Sequence, residues 1–292
     1  MQTISDSNRL HNVIQQWHQQ GFKVALVATM GNLHQGHIEL IKQARQYADK
    51  VVASIFVNPL QFGQHEDLAR YPRTLSDDQR ALYHADCDLL FHPSVALLYP
   101  NGTTPQTRIE VPSLSHMLCG HSRPGHFQGV ATVVAKLLHL VQPDVALFGH
   151  KDYQQLMVIR AMVRDLNMAV QIIGIDTVRE ADGLAKSSRN GYLNTNERLI
   201  APQLKHTLDA LALQVQQHGL AARQQFEEEA MARLNQLGFK SDYVAICQAE
   251  SLQPAQEHDR QLVLLAAAYL GQTRLIDNLV VDLDHTFATM TR

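Results

Sequence analysis

Between residue 24 and about residue 175, short apolar β-rich runs alternate with segments of helical periodicity, and this alternation limits the possible folds more than any other feature. Strands that alternate with helices pair in parallel, because a parallel connection needs a crossover long enough to hold a helix. The runs are Val24–Thr29, Val51–Val57, Leu89–His92, Val145–Gly149 and Val170–Ile175. Between them, Leu40, Ile41, Ala44, Tyr47 and Ala48 recur at helical spacing. So do Val130, Val133, Val134, Leu137, Leu138 and Val141, and then Leu156, Ile159, Val163 and Leu166, which predicts core-facing stripes. Ser76 followed by Gln79 predicts a capping box that opens a further helix toward Ala85. After residue 176 the pattern changes. A polar stretch, Asp176 to Asn196, precedes helices marked by Leu208, Leu211, Ala212 and Val215 and by Phe226, Ala230, Leu234 and Leu237. The runs Asp242–Cys247, Leu262–Leu270 and Leu275–Val281 then predict a small antiparallel sheet. The expected class is α/β, a parallel sheet wrapped by helices, followed by a smaller α+β domain.

Bulk properties agree with this and exclude several functions. At roughly 100 to 200 residues per domain, 292 residues fit two domains. Hydrophobic residues at 45% and charged residues at 18% describe a globular enzyme rather than a disordered chain. A formal charge of −3 lacks the basic excess that a dedicated nucleic-acid binder uses, so no nucleic-acid partner is expected. Cys87, Cys119 and Cys247 are odd in number and lack C-x-x-C spacing, which suggests neither a disulfide framework nor a zinc site and fits a reducing cytoplasm. The N-terminus lacks the basic start and apolar stretch of a signal peptide. The apolar run Leu262–Leu270 is too short to cross a bilayer, so no membrane association is expected.

In an open α/β sheet, ligands bind beyond the carboxyl ends of the strands, so the segments following each strand carry the functional signal. The first strand leads into Thr29-Met30-Gly31-Asn32-Leu33-His34-Gln35-Gly36-His37, just before a helical pattern. A glycine turn that feeds a helix leaves backbone N–H groups unpaired where the macrodipole also favours negative charge. Phosphate is the expected guest. His34 and His37 lie within one turn of each other and both can donate to one polyphosphate, and Gly36 allows close approach. In a chain with 16 histidines, proximity alone means little, and it is the order of strand, glycine turn and helix start that gives H-x-G-H its weight.

The other strand ends lead into Asn58-Pro59-Leu60-Gln61-Phe62, His150-Lys151-Asp152-Tyr153-Gln154-Gln155 and a polar segment running from Val178 through Lys186-Ser187-Ser188-Arg189. Lys186 to Arg189 reads equally as a flexible loop closing over phosphates or as an interdomain linker. Lys151 serves either a structural pair with Asp152 or a phosphate, and its position favours the phosphate. Gln61 and Gln155, neutral amides beside strand ends, suit a small hydroxy acid, although a lone glutamine usually faces solvent. Asn58 before Pro59 has a plain turn-forming reading. Arg123 and His126, in a turn before a helix, either face the site or cap the helix.

These motifs together resemble the pantothenate synthetase, or pantoate–β-alanine ligase, family. The resemblance rests on T-M-G-x-L-H-x-G-H at 29–37, F-V-N-P-x-Q-F at 56–62, Y-P-R-T-L at 71–75 and R-P-G-H-F-x-G-V-x-T-V-V at 123–134. It continues with V-x-P-D at 141–144, F-G-x-K-D-Y-Q-Q-L at 148–156 and S-S-R-N-G-Y-L at 187–193, and more loosely with L-I-D-N at 275–278. It implies a Rossmann-like nucleotidyl-transferase domain over 1–178 and a C-terminal lid domain over 179–292 that carries the K-S-S-R loop. It implies ATP-dependent condensation of pantoate with β-alanine through a pantoyl adenylate, releasing pyrophosphate and then AMP. ATP would be held by Met30, Gly31, Asn32, Leu33, His34, Gln35, Gly36, His37, Gly149, His150, Lys151, Asp152, Val178, Lys186, Ser187, Ser188 and Arg189. Gln61 and Gln155 would hold pantoate. The implied catalytic set is His34, His37, Lys151 and Arg189, with His37 as the acid. Mg²⁺ would accompany ATP, its protein ligands are not indicated, and a homodimer is expected. Three positions depart from the family pattern: Ala28 stands where proline is common, His150 where glutamate is common, and Lys186 where an apolar residue is common.

A rival on the same scaffold is another nucleotidyl-transferase or a class I aminoacyl-tRNA synthetase. The first wants a second cationic pocket and the second a basic tRNA surface, and the two-glutamine pattern favours neither.

Overall fold

A computed structural model describes residues 1–63 and 66–284. The described residues divide into two compact units, one drawn from 1–150 with 155–176 and the other from 151–154 with the described residues from 177 onward.

The first unit is built on a six-stranded sheet: β1 (Gln2–Ile4), β2 (Val24–Thr29), β3 (Lys50–Ile55), β4 (Leu89–Phe91), β5 (Val145–Gly149) and β6 (Gln171–Ile175). Their order is β1-β4-β3-β2-β5-β6 and every pairing is parallel. Helices α1 (Ser7–Gln19), α2 (Gln35–Ala44), α3 (Leu75–His84), α7 (His126–Val141) and α8 (Tyr153–Asp165) alternate with the strands. The short helices α4 (Val95–Leu98), α5 (Pro112–Ser115) and α6 (Cys119–Ser122) lie between β4 and α7. A strand covered on both faces must be apolar throughout, and Val24 to Val27 and Val51 to Ala53 are all 0% exposed. On one face Val27, Ile41, Val51, Leu82, Leu90 and Leu147 form a single cluster. Burying an aliphatic side chain of this kind contributes roughly 1.5–3 kcal/mol.

The second unit holds α9 (Thr195–Ile200), α10 (Gln203–His218), α11 (Arg223–Gln236) and an antiparallel sheet of β7 (Lys240–Gln248), β8 (Gln261–Leu270) and β9 (Thr273–Asp282), in that order. Leu208, Leu211 and Val215 of α10 and Phe226 and Leu234 of α11 share a core with Ile246, Leu262 and Leu264.

The expected class and the expected succession of strands and helices are therefore found, with three corrections. Tyr47 and Leu166, expected on core-facing stripes, are 41% and 53% exposed, because α2 ends at Ala44 and α8 at Asp165 and both residues lie beyond the helix ends. β1 was not anticipated, since only three residues pair with β4 and Ile4 alone is buried. The capping box at Ser76 and Gln79 does not form. The helix begins at Leu75, and its cap residue Thr74 makes no side-chain cap bond, its hydroxyl donating instead to Asp78 Oδ1 at 3.2 Å.

The chain leaves β2 toward β3 and β4 on one side, then returns to place β5 on the other side of β2. At such a switch point the loops leaving the two strands diverge and open a crevice at their carboxyl ends. The segments after β2 and β5 are the H-x-G-H turn and His150-Lys151-Asp152.

Candidate active site

The turn after β2 is held by its own side chains. Gly31 and Asn32 have left-handed backbone, with φ of 81° and 50°. The Thr29 hydroxyl donates to Ser54 O at 2.8 Å and accepts the Gly31 N–H at 3.2 Å. The buried Asp78 carboxylate accepts the Asn32 and Leu33 N–H groups at 3.0 and 2.8 Å. At the helix start the two imidazoles cap each other's backbone: His34 Nδ1 accepts the Gly36 N–H at 3.1 Å, and His37 Nδ1 accepts the His34 N–H at 3.2 Å. The His37 N–H donates to His34 O. Expected as unpaired phosphate donors, the amides of Gly31, Asn32, Leu33, His34, Gly36 and His37 thus all have partners within the chain. The rings lie with centroids 4.1 Å apart, tilted by 36°. A neutral imidazole that accepts at Nδ1 carries its proton on Nε2, so both rings are set as Nε2–H donors.

The turn after β3 is organised around Asn58, which is 1% exposed. Its Nδ2 donates to Gly129 O at 3.1 Å and to Gln61 Oε1 at 3.0 Å. Its Oδ1 accepts the Leu60 N–H at 3.3 Å and the Tyr99 hydroxyl at 2.8 Å. Burial pushes the Tyr99 phenol above its ordinary range, which keeps it a neutral donor. Gln61 Nε2 reaches Met30 Sδ at 3.1 Å, linking this turn to the one after β2. The close seating of the turn on α7 depends on Gly129, where a Cβ would stand 2.3 Å from Leu60 O.

A second layer supports Gln61. Its carbonyl lies 2.8 Å from His126 Nδ1, and His126 Nε2 lies 2.9 Å from Arg123 Nη1. Arg123 donates only, so His126 accepts at Nε2 and donates from Nδ1. The Arg123 fork also grips Glu66, Nε to Oε1 at 2.6 Å and Nη2 to Oε2 at 2.7 Å. Burial raises the Glu66 pKa, but the hydrogen bonds and charge of Arg123 outweigh it and hold the carboxyl below its usual range. Arg123 and His126, left open between site and cap by the sequence, thus brace the Gln61 turn. Gly125, with no side chain, occupies the cap position of α7.

After β5, Gly149 pairs with Ile175 and His150 Nδ1 lies 3.1 Å from Asp176 Oδ1. The His150 ring covers Gly174, where a Cβ would meet Nε2 at 2.2 Å. At this position the chain therefore packs a ring against a glycine of the neighbouring strand. Gln155 is half-buried on the first turn of α8.

In the second unit, Lys151 Nζ stands 3.8 Å from Asp152 Oδ2, and the Lys151 carbonyl accepts from Asn278 Nδ2 at 3.0 Å. The segment from Val178 to Lys186 is a hairpin. Lys186 N–H donates to Val178 O, Glu180 N–H donates to Leu184 O, and Gly183 turns with φ of 90°. Arg179 ties the hairpin to β9 through a bidentate pair with the buried Asp277, at 2.7 and 2.9 Å. Lys186 Nζ is taken by Glu180 Oε2 at 2.8 Å, which offsets the extra charge that the sequence brings to this position. Ser187 Oγ accepts the Arg189 N–H at 3.2 Å and opens a 3₁₀ turn over Ser188–Tyr192.

Beyond the carboxyl ends of β2 and β3, Met30 thus meets Gln61, and His34 meets His37 at the start of α2. Sequence reasoning missed Asp78 and Glu66 and read Asn58 only as a turn former. Asp78 and Asn58 would have been visible only as polar residues that are fully buried, which a linear pattern does not reveal.

Comparison with known proteins identifies the family. Residues 2–280 match the family described as pantoate-beta-alanine ligase. The pantothenate synthetase of Shewanella oneidensis is 55% identical over 282 residues, spanning 97% of this chain and all of that protein. The crystal structure of pantothenate synthetase from Thermus thermophilus superposes with a TM-score of 0.87 at 46% identity, covering 96% of this chain and 99% of that one. That of pantoate-beta-alanine ligase from Francisella tularensis, complexed with beta-gamma ATP and beta-alanine, gives 0.80 at 36% identity over 96% of this chain and 97% of that one. The parallel sheet and these near-full-length matches make the chain a member of the pantoate–β-alanine ligase family.

Proposed function

We propose that this chain joins pantoate to β-alanine at the expense of ATP, and that His34 and His37 act in that reaction as neutral Nε2–H donors to the phosphates. The observation that carries the second part is the reciprocal cap at the start of α2, which commits both Nδ1 atoms to backbone amides. In the first step the pantoate carboxylate attacks the α-phosphorus of ATP and pyrophosphate leaves. In the second, the amine of β-alanine attacks the acyl carbon of the adenylate and AMP leaves. Attack of an anion on a polyanion is opposed by charge, so donors and cations aimed at the phosphates supply the main stabilisation. Lys151 and Arg189 fill the cationic role in this reading, and Met30 to His37, Gly149 to Asp152, Val178 and Lys186 to Arg189 make up the ATP site. Because Glu180 occupies the Lys186 ammonium, Lys186 acts there mainly through its backbone. Gln61 and Gln155 hold pantoate, and the buried Asn58 hub supports the Gln61 assignment by fixing that side chain before substrate arrives.

Mg²⁺ would neutralise phosphate charge. Among the described residues no group of three His, Cys, Asp or Glu could hold a metal. No described helix is long and apolar enough to cross a membrane. The proposal places the enzyme in the cytoplasm as a homodimer, which light scattering on the purified chain would check. The direct test is exchange of labelled pyrophosphate into ATP. Exchange that requires pantoate supports the reading, and exchange without pantoate overturns it.

A further inference from the structure

Asp78 lies on α3, 46 positions from Asn32 in sequence, and the residue is 3% exposed. A buried carboxylate is costly unless hydrogen bonds offset its lost hydration. Here the donors are the Asn32 N–H to Oδ2 at 3.0 Å, the Leu33 N–H to Oδ1 at 2.8 Å and the Thr74 hydroxyl to Oδ1 at 3.2 Å. The two amides belong to the turn that leads to the histidine pair. Gly31, beside them, has left-handed backbone, and a Cβ there would stand 3.1 Å from Asp78 Oδ2. One carboxylate therefore holds both amides of the turn. No neutral side chain of this size offers two acceptors so placed, since an asparagine would turn its NH₂ toward one of the N–H groups.

We propose that Asp78 is a positioning residue for the ligation, a clamp that fixes residues 31–33 and so sets His34 at the cap of α2 with both imidazoles as Nε2–H tautomers. This rests on the reading of H-x-G-H as the ATP phosphate site. Asp78 acts through the turn and does not touch substrate. Thr74 helps to orient the carboxylate through its hydroxyl bond to Oδ1.

The test compares Asp78→Asn with Leu82→Ala. Leu82 lies on the same helix, is 0% exposed and belongs to the core, so its truncation reports on stability alone. Asp78→Asn is expected to lower kcat by about tenfold or more, with KM for pantoate within twofold of wild type. ¹⁵N NMR should show His34 and His37 passing from a single Nε2–H tautomer to an averaged mixture. Leu82→Ala should lower Tm at least as far yet keep wild-type kcat well below its Tm. Wild-type kcat and tautomers in Asp78→Asn would overturn the clamp, as would a kcat loss in Leu82→Ala matching that of Asp78→Asn. Should Asp78→Asn not fold, Thr74→Val is read instead: a smaller change in kcat and tautomer in the same direction supports the clamp, and no change in either overturns it. The tautomer measurement needs no turnover. A wild-type chain with ordered tautomers but no ligase activity would therefore count against the ligase reading and not against the clamp.

Discussion

Gly129→Ala separates packing from propensity. Gly129 is the fourth residue of α7, where alanine should stabilise an unconstrained helix by roughly 0.8–1 kcal/mol. The new Cβ, however, would stand 2.3 Å from Leu60 O, 2.5 Å from Leu60 C and 2.7 Å from Gln61 N, all backbone atoms. Ordinary contact begins near 3.4 Å, so the turn or the helix must retreat by about 1 Å. Overpacking of this kind costs about 1–3 kcal/mol. Weakening the bond from Asn58 Nδ2 to Gly129 O adds about 1 kcal/mol. The net expectation is a loss of about 1–3 kcal/mol, or roughly 2–10 °C in Tm for a unit of this size. If Gln61 holds pantoate, a displacement of this scale should also reduce kcat/KM for pantoate by about 10- to 100-fold. Calorimetry and AMP release measured against pantoate concentration check both. A variant with raised Tm and wild-type pantoate kinetics would show that the turn is not seated as described, and would refute the reasoning.

His37→Ala should lower turnover by about 10², while His37→Gln, which keeps a side-chain N–H, should recover part of it. The loss is read from AMP release at saturating substrates. Glu66, whose pKa is lowered on folding, stabilises the chain fully above its ordinary value of 4.5 and progressively less as pH falls through the lowered folded value. Glu66→Gln should therefore cost about 1–2 kcal/mol near pH 7, with the two Tm curves converging as pH falls through the lowered folded value. Ser54 Oγ is buried without a hydrogen-bond partner, so Ser54→Ala should leave Tm unchanged or raise it, by up to about 1 kcal/mol of stability. A clear fall in Tm would show that the hydroxyl is solvated.

What the sequence displays and what it conceals follow from the range of the interactions. The central strands are legible because burial on both faces demands unbroken apolar runs, as in Val24 to Val27. The helices are legible because one face must meet the sheet. H-x-G-H is legible because the strand, the left-handed turn and the helix start are contiguous. The donors for phosphate are less so: a helix start promises available amides, but here the two imidazoles and Asp78 take them, moving the donor role outward to Nε2. Asp78, Glu66 and Gly129 act on residues 46, 57 and about 70 positions away, and no local pattern marks them. At Ser76 the local pattern misleads, because Thr74 already begins the helix and spends its hydroxyl on Asp78. The hairpin from Val178 to Lys186 looks like a linker until Arg179 is seen to bind Asp277, 98 positions away.

The most direct measurement follows one oxygen atom. Pantoate labelled with ¹⁸O in its carboxylate, incubated with ATP, Mg²⁺ and β-alanine, should transfer one label to the phosphate of AMP, because the attacking carboxylate oxygen stays on phosphorus when the amine displaces it. Mass spectrometry of AMP bearing a single ¹⁸O is the predicted result. Label in inorganic phosphate or pyrophosphate, or unlabelled AMP formed alongside product, would contradict an acyl-adenylate route.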